Sequence, residues 1–352
     1  HVAVVLGNDF FGGQPGTVIA SLTPFTPSQL ATIRTLGAQR GPGVASIPGG
    51  PDKLQWNQLA SLGPDAFCST YQYNVCAPTD DKPFFFNMKR LSQIAQPLPA
   101  VYDYSVDPYM VLGITLALLI VLCALAFGLP LATVRRKSRP PAKSLLFFAA
   151  IGFGYLGMEI VMIQFFVLFL GFPTYSLTVV LFSLLLFTGL GALVSSRWHR
   201  PRGSLLSNLG VLVLLLLASA FWMEPALRHM ISLPFSLRVV VAVGLLAPLG
   251  FTAGMAMPIG LRRFGSLYPA AVSWAWGVNG IASVLATALA VFVAITWGYT
   301  VTTLAAAACY LVAMANVAFG RWPAPGNSVI PEAQPLEALP ALVEHAQPAV
   351  PV

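Results

Sequence analysis

The apolar positions of this chain fall into two regimes. From residue 109 to 320 they merge into seven runs, each long enough to cross a bilayer core of about 30 Å. The runs lie at 109–131, 144–169, 173–195, 204–223, 233–258, 270–296 and 299–320. Before them, over residues 1–90, apolar positions come in short patches. VAVVLG and TVIASL read as strands broken by Gly and Pro, and SQLATIRTLGAQ has helical spacing after a Thr/Pro/Ser start. Ninety residues with two or three strands make a poor core, so this α/β piece reads as the end of a larger domain. The chain also opens at His1 inside a predicted strand, without Met or signal peptide, which points to truncation or processing at that end. Residues 91–108 read as a linker, and the Pro- and Ala-rich residues 321–352 as a disordered tail.

Composition strengthens the membrane reading. The chain is 57% hydrophobic and 9% charged, against roughly 25% charged in soluble domains. Residues 1–108 hold seven acids and six bases, whereas residues 109–320 hold twelve bases and only two acids, Glu159 and Glu224. Most of those bases sit in alternate short loops: Arg135, Arg136, Lys137, Arg139 and Lys143 in the first, Arg197, Arg200 and Arg202 in the third, Arg262 and Arg263 in the fifth. The second and sixth loops have none, and the fourth has Arg228 beside Glu224. By the positive-inside rule, loops one, three and five are cytoplasmic, residues 1–108 lie on the outer (periplasmic) face, and the tail lies inside. The net charge of +7 is therefore a topology signal and gives no case for nucleic acid; the partner it implies is the lipid bilayer. Four Cys and four His lack the paired spacing of a zinc site, so no metal is expected. An outer location permits a disulfide between Cys68 and Cys76, the alternative being two separate thiols. Cys123 and Cys309 read as packing residues within spans.

Several polar and small residues within the spans call for an explanation. GFGYLG (Gly152, Gly154, Gly157) matches a dinucleotide-binding pattern letter for letter, but it lies inside an apolar run with no strand before it, so close helix packing explains it better. Gly250/Gly254 and Ser273/Gly277 show the same small-residue spacing. Glu159 is the one acid inside a span, where a charge costs at least about 2.5 kcal/mol. Helical spacing puts it on a stripe with Gly152, Tyr155, Met162 and Phe166, with Asn279, Thr188 and Ser183 as candidate partners. It reads either as a proton or substrate site or as a neutral side chain donating one interhelical hydrogen bond. Arg238 is expected to snorkel toward headgroups or Glu224. Pro258 and Gly260 are expected to end the fifth span, and Trp274 and Trp276 suit an interfacial belt ahead of Asn279.

The stretch APTDDKPFFF, residues 77–86, precedes the first span. Asp80 and Asp81 are candidate catalytic carboxylates, since adjacent acids shift each other's protonation. The competing reading is a structural corner, in which Asp80 or Asp81 makes an Asx-type turn and Pro83 extends Lys82. Phe84 and Phe86 would then share one strand face in the core of the sheet, with Phe85 on the other.

Taken together, PFTPSQLATIR, IPGG, PTDDKPFFFNMKR, GFGYLGMEIVMIQFFVLFLGFPTYSL, GMAMPIGLRRFG and WAWGVNGIASVLATALAV resemble the C-terminal portion of bacterial multi-pass membrane proteins of the spermidine synthase-like family, sometimes described as fused major-facilitator-like and spermidine synthase proteins. The resemblance covers almost the whole chain except the tail. It implies a Rossmann-like aminopropyltransferase or methyltransferase-type domain joined to helical bundles in the bacterial inner membrane, and an S-adenosyl-type donor. The donor-binding loop and the acidic transferase motif would both precede His1, so no cofactor-binding residue carries over. The fold expected is thus mainly α-helical, about seven transmembrane helices preceded by the C-terminal part of a Rossmann-like α/β domain. Three functions compete: a membrane-anchored transferase whose visible part is not self-sufficient, a non-catalytic accessory or scaffold subunit of a membrane complex, and a small-molecule transporter using Glu159 and Asn279.

Overall fold

The computed structural model of the chain describes residues 1–6, 16–40, 43–48, 59, 61–84, 87–94, 108–133, 141–197, 201–267 and 271–320. The tail, most of the linker, Phe85, Phe86, the first-loop bases from Arg135 to Arg139 and Arg200 lie outside these residues.

Among the described residues, seven helices are long and apolar enough to cross a membrane. They are α3 (Pro108–Thr133), α4 (Ala142–Leu170), α5 (Pro173–Ser195), α6 (Pro201–Met230), α7 (Phe235–Leu267), α8 (Ala271–Trp297) and α9 (Tyr299–Phe319). The protein is mainly α-helical and multi-pass. Its outward surface carries large apolar side chains such as Phe182, Leu193, Leu214, Trp222 and Val240, a surface that water would not tolerate and lipid does. Two spans outrun the sequence reading. α7 continues to Leu267 through Pro258 and Gly260, and α6 runs through Pro225. Proline removes one hydrogen bond from a helix, and packing against neighbouring helices makes up for it in a bilayer. Gly260 supplies such packing, because the Phe147 ring of α4 lies where its side chain would be.

Helix α4 is the hub. Gly152 sits against Asn279 and Ala282 of α8, and a Cβ there would meet the Asn279 backbone oxygen at 2.6 Å. Gly154 faces the Tyr310 ring of α9, at 2.7 Å from the same hypothetical atom. These glycines let helix backbones approach closely. Gly250 and Gly254 of α7 do the same against α5, where Gly254 abuts the backbone of Thr188. Ser273 and Gly277 do not follow suit: both are exposed and nothing lies within 4 Å of a Cβ on Gly277. Their spacing places them on a lipid-facing side of α8, whose inner face is drawn instead by Ala275, Ala282, Ala286, Ala290 and Ala294. α3 packs chiefly on α8, through an edge-on contact of Phe127 and Trp274 at 5.0 Å. Trp274 is thus partly enclosed, while Trp276 is exposed.

Ahead of the bundle, β1 (Val2–Leu6) lies between β2 (Gly16–Ala20) and β3 (Gly43–Ser46), antiparallel to both, with a bulge at Val4/Val5. The parallel pairing of a Rossmann-like sheet is absent among the described residues. α1 (Pro27–Arg40) starts with Pro27 behind a reciprocal cap. The Thr26 amide donates to Gln29 Oε1 at 2.8 Å, and the Gln29 amide to Thr26 Oγ1 at 3.3 Å. The core here is small: Ala3, Ile33 and Ile47, flanked by Val5, Phe25, Leu30 and Val44. A short helix, α2 (Pro64–Thr70), buries no residue at all.

Candidate functional site

The densest polar constellation outside the spans is the Thr79–Lys82 turn. The Lys82 amide donates to both the Thr79 carbonyl at 2.9 Å and Thr79 Oγ1 at 3.1 Å. The turn is therefore closed by Thr79, where the sequence suggested an Asx turn through Asp80 or Asp81. With the hydroxyl of Thr79 doing this work, the next three side chains are free to reach the bundle.

They reach three different helix ends. Asp81 Oδ1 accepts from the Thr300 amide and from Thr300 Oγ1, both at 2.7 Å, and the Asp81 carbonyl accepts from the Tyr299 amide at 2.9 Å. Asp81 thus caps the first turn of α9 from 218 residues away, satisfying amides that no helix can pair internally. Lys82 Nζ donates to the Thr296 carbonyl at 2.8 Å, in the last turn of α8. An anion at a helix N-terminus and a cation at a helix C-terminus both suit the helix dipole, and here adjacent residues serve adjacent ends. Asp80 turns aside to Arg228 of α6, Oδ2 to Nε at 2.9 Å, and Arg228 also holds Glu224 at 2.8 Å. Burial draws the Lys82 ammonium below its ordinary value, opposed by the charge of Asp81.

Gly298 makes the arrangement possible. It separates α8 from α9 with φ 96 and ψ 174, a conformation open in practice to glycine alone, and a Cβ there would strike Asp81 Oδ2. Phe84 packs edge-on against Tyr299 at 5.6 Å and joins the core of the bundle. This corrects the expectation that Phe84 belongs to the sheet core; sequence distance to Tyr109 concealed that the chain folds back on the bundle. Asn87 confirms the return, its amide donating to Tyr109 Oη at 3.2 Å, with Tyr109 Oη 3.3 Å from Thr296 Oγ1.

The root of this segment is held differently. Cys68 and Cys76 form a disulfide, the first of the two readings. Arg90 donates to the carbonyls of Cys68 (2.5 Å) and Tyr71 (3.0 Å) at the end of α2, and Asn74 pairs with the backbone of Met88 and Asn87.

Inside the membrane, the candidates do not converge. Asn279 donates to the Phe148 carbonyl of α4 at 3.0 Å, and Ser283 to that of Gly152 at 3.4 Å. Asn279 is thus spent on helix pairing and is not a partner of Glu159, which lies seven residues, or about 10 Å, further along α4 than Gly152. Tyr155 Oη lies 3.4 Å from Thr188 Oγ1 on α5, one helical turn from Glu159, whose carboxyl has no hydrogen bond among the described residues. Ser183 bonds within its own helix, to the Val179 carbonyl. Arg238 departs from expectation as well. It donates to the Phe169 carbonyl at 2.7 Å and so caps α4, while Glu224 pairs with Arg228. Arg262 and Arg202 do the same for Ser195 of α5 and Ala318 of α9, at 2.6 and 2.9 Å. These cross-helix caps have no signature within their own helices, which is why residue spacing missed them.

The Asp80–Lys82 contacts all fall on the end of the bundle that carries the α6–α7 and α8–α9 connections. Arg197, Arg202, Arg262 and Arg263 lie toward the other end. Comparison with protein-family models, curated proteins and solved structures finds no match for this chain.

Proposed function

We propose that the chain is a membrane scaffold, an accessory subunit whose seven-helix bundle presents an α/β segment to a protein partner on the outer face. One observation carries this reading: Asp80, Asp81 and Lys82, the residues best suited to chemistry in the extramembrane part, fasten that part to the ends of α6, α8 and α9. A surface for a partner is available on the segment itself, where edge strand β2 and the loop after it expose Val18 (63%) and Leu22 (104%).

Within this reading the chain is a spermidine synthase-like protein of the bacterial inner membrane. The sequence blocks PTDDKPFFFNMKR and MEIVMIQ support that placement. Residues 1–90 would then derive from a Rossmann-like domain, and transfer from an S-adenosyl-type donor would not run through Asp80 or Asp81. An outer, periplasmic position for residues 1–108 and a cytoplasmic tail are supported by the base-rich alternate loops, by docking at the base-poor end, and by the disulfide, which persists in oxidising compartments. Affinity purification from native membranes after mild cross-linking tests the scaffold: a stoichiometric membrane partner is expected. A monodisperse lone protein that turns over an adenosyl-sulfonium donor would refute it.

A second reading is favoured by Glu159, a mid-span carboxyl beside the Tyr155–Thr188 contact. It makes the bundle a transporter with Glu159 in the coupling site. Uptake or proton coupling left intact in Glu159→Gln would dispose of it.

A further inference from the structure

We propose that residues 64–84 and 87–94 form a strap whose grip on the α8–α9 reversal is set by the Cys68–Cys76 disulfide, so that a dithiol reductant unlatches it. This rests on the scaffold reading of the Asp81–Lys82 clamp and adds a means of regulating it.

The tip of the strap has strong holds on the bundle, whereas the apolar contacts described at its root, Phe67 stacked on Tyr71 at 4.9 Å and Tyr71 edge-on to Tyr73 at 6.3 Å, stay within the root itself. α2 is seven residues long and buries none of them, and a helix this short does not persist in water unaided. The covalent tie at the root is the disulfide, linking residues eight positions apart, and hydrogen bonds cluster around it. Arg90 takes the carbonyl of Cys68 itself. Asn74, two residues before Cys76, pairs with Met88 and Asn87. Cys76 stands four residues before Asp80, so the covalent bond fixes where the Thr79–Lys82 turn begins. Its side chain is exposed and open to attack. A dithiol thiolate displaces one cysteine sulfur to give a mixed disulfide, and its second thiol then closes the reductant's own ring. Two electrons and two protons pass to Cys68 and Cys76, which leave as thiols.

Hydrogen exchange of the intact protein in lipid nanodiscs tests the latch, read at the peptide containing Tyr299 and Thr300, whose amides donate to Asp81. Dithiothreitol, with reduction confirmed by a mass gain of two hydrogen atoms, is expected to speed exchange there by about tenfold or more. The mid-α4 peptide around Met158–Met162 should keep its protection. Cys68→Ser/Cys76→Ser should exchange fast with or without reductant; if that variant does not fold, the wild-type comparison stands alone. Asp81→Ala separates the two layers of the inference. Fast exchange in Asp81→Ala with no response of the wild type to reductant would overturn the strap and spare the clamp. Slow exchange of the Thr300 amide in Asp81→Ala would overturn both. Loss of protection in α4 on reduction would also overturn the strap, because the bond would then hold the whole fold and not the reversal.

Discussion

Replacing Gly298 by Ala probes the α8–α9 reversal at its narrowest point. The residue holds φ 96 and ψ 174, a region whose occupation by a residue with a Cβ costs of order 1–3 kcal/mol. The new methyl would also fall on Asp81 Oδ2, so the carboxylate must move and the α9 cap goes with it, a further loss of about 1 kcal/mol. Gly298→Ala is therefore expected to destabilise the protein by about 3 kcal/mol. Asp81→Ala, which gives up both bonds to Oδ1 but keeps the Tyr299 amide on the Asp81 carbonyl, should cost about 1–2 kcal/mol. The double variant is the sharper measurement. Since Gly298→Ala already displaces Asp81, adding Asp81→Ala should cost less than it does alone, by at least about 0.5 kcal/mol, as expected of residues in contact. The assay is reversible unfolding of the purified protein in mixed micelles, titrated with dodecyl sulfate and followed by tryptophan fluorescence. A neutral Gly298→Ala, or two strictly additive substitutions, would refute the reasoning.

Gly254→Ala should cost more than about 2 kcal/mol in the same titration, because Gly254 abuts the Thr188 backbone, whereas Gly277→Ala should be neutral or stabilise by up to about 1 kcal/mol through helix propensity. Arg228→Ala should cost less than about 1 kcal/mol, its ion pairs with Asp80 and Glu224 being largely exposed, and the loss should shrink in high salt. Lys82 gives a pH signature. Its folded-state value is depressed below the ordinary 10.5, so the folded protein binds fewer protons than the unfolded chain in the window just under that value. Stability linked to Lys82 is then greatest above 10.5 and falls as pH falls through the depressed value. Lys82→Met should flatten that part of the stability–pH curve, and an unchanged slope would count against the burial of its ammonium.

The spans were legible because lipid imposes a simple rule: a run of about twenty apolar residues can do little else. The base-rich loops and the packing role of Gly152, Gly154 and Gly254 were legible for similar reasons of cost. What stayed hidden was pairing across long sequence distance. Asp81 reads as half of an acidic pair until Thr300 is placed beside it, and Arg238 reads as a snorkelling cation until the Phe169 carbonyl is seen. Pro258 looked like a helix terminus because its own local cost is large, yet packing at Gly260 carried α7 nine residues further. Phe84 belongs to the core of the bundle and not to that of the sheet, because more than twenty positions of separation from Tyr109 say nothing about a segment that doubles back. Ser273 and Gly277 show the converse error, a spacing with no neighbour to use it.

The seat of the extramembrane segment, on the bundle end opposite Arg197, Arg202 and Arg262, can be tested most directly by sided labelling in intact spheroplasts. A membrane-impermeant maleimide should label Thr79→Cys from outside, while Arg197→Cys should react only after permeabilisation. Labelling of both positions from the same side, or the reverse pattern, would contradict the account.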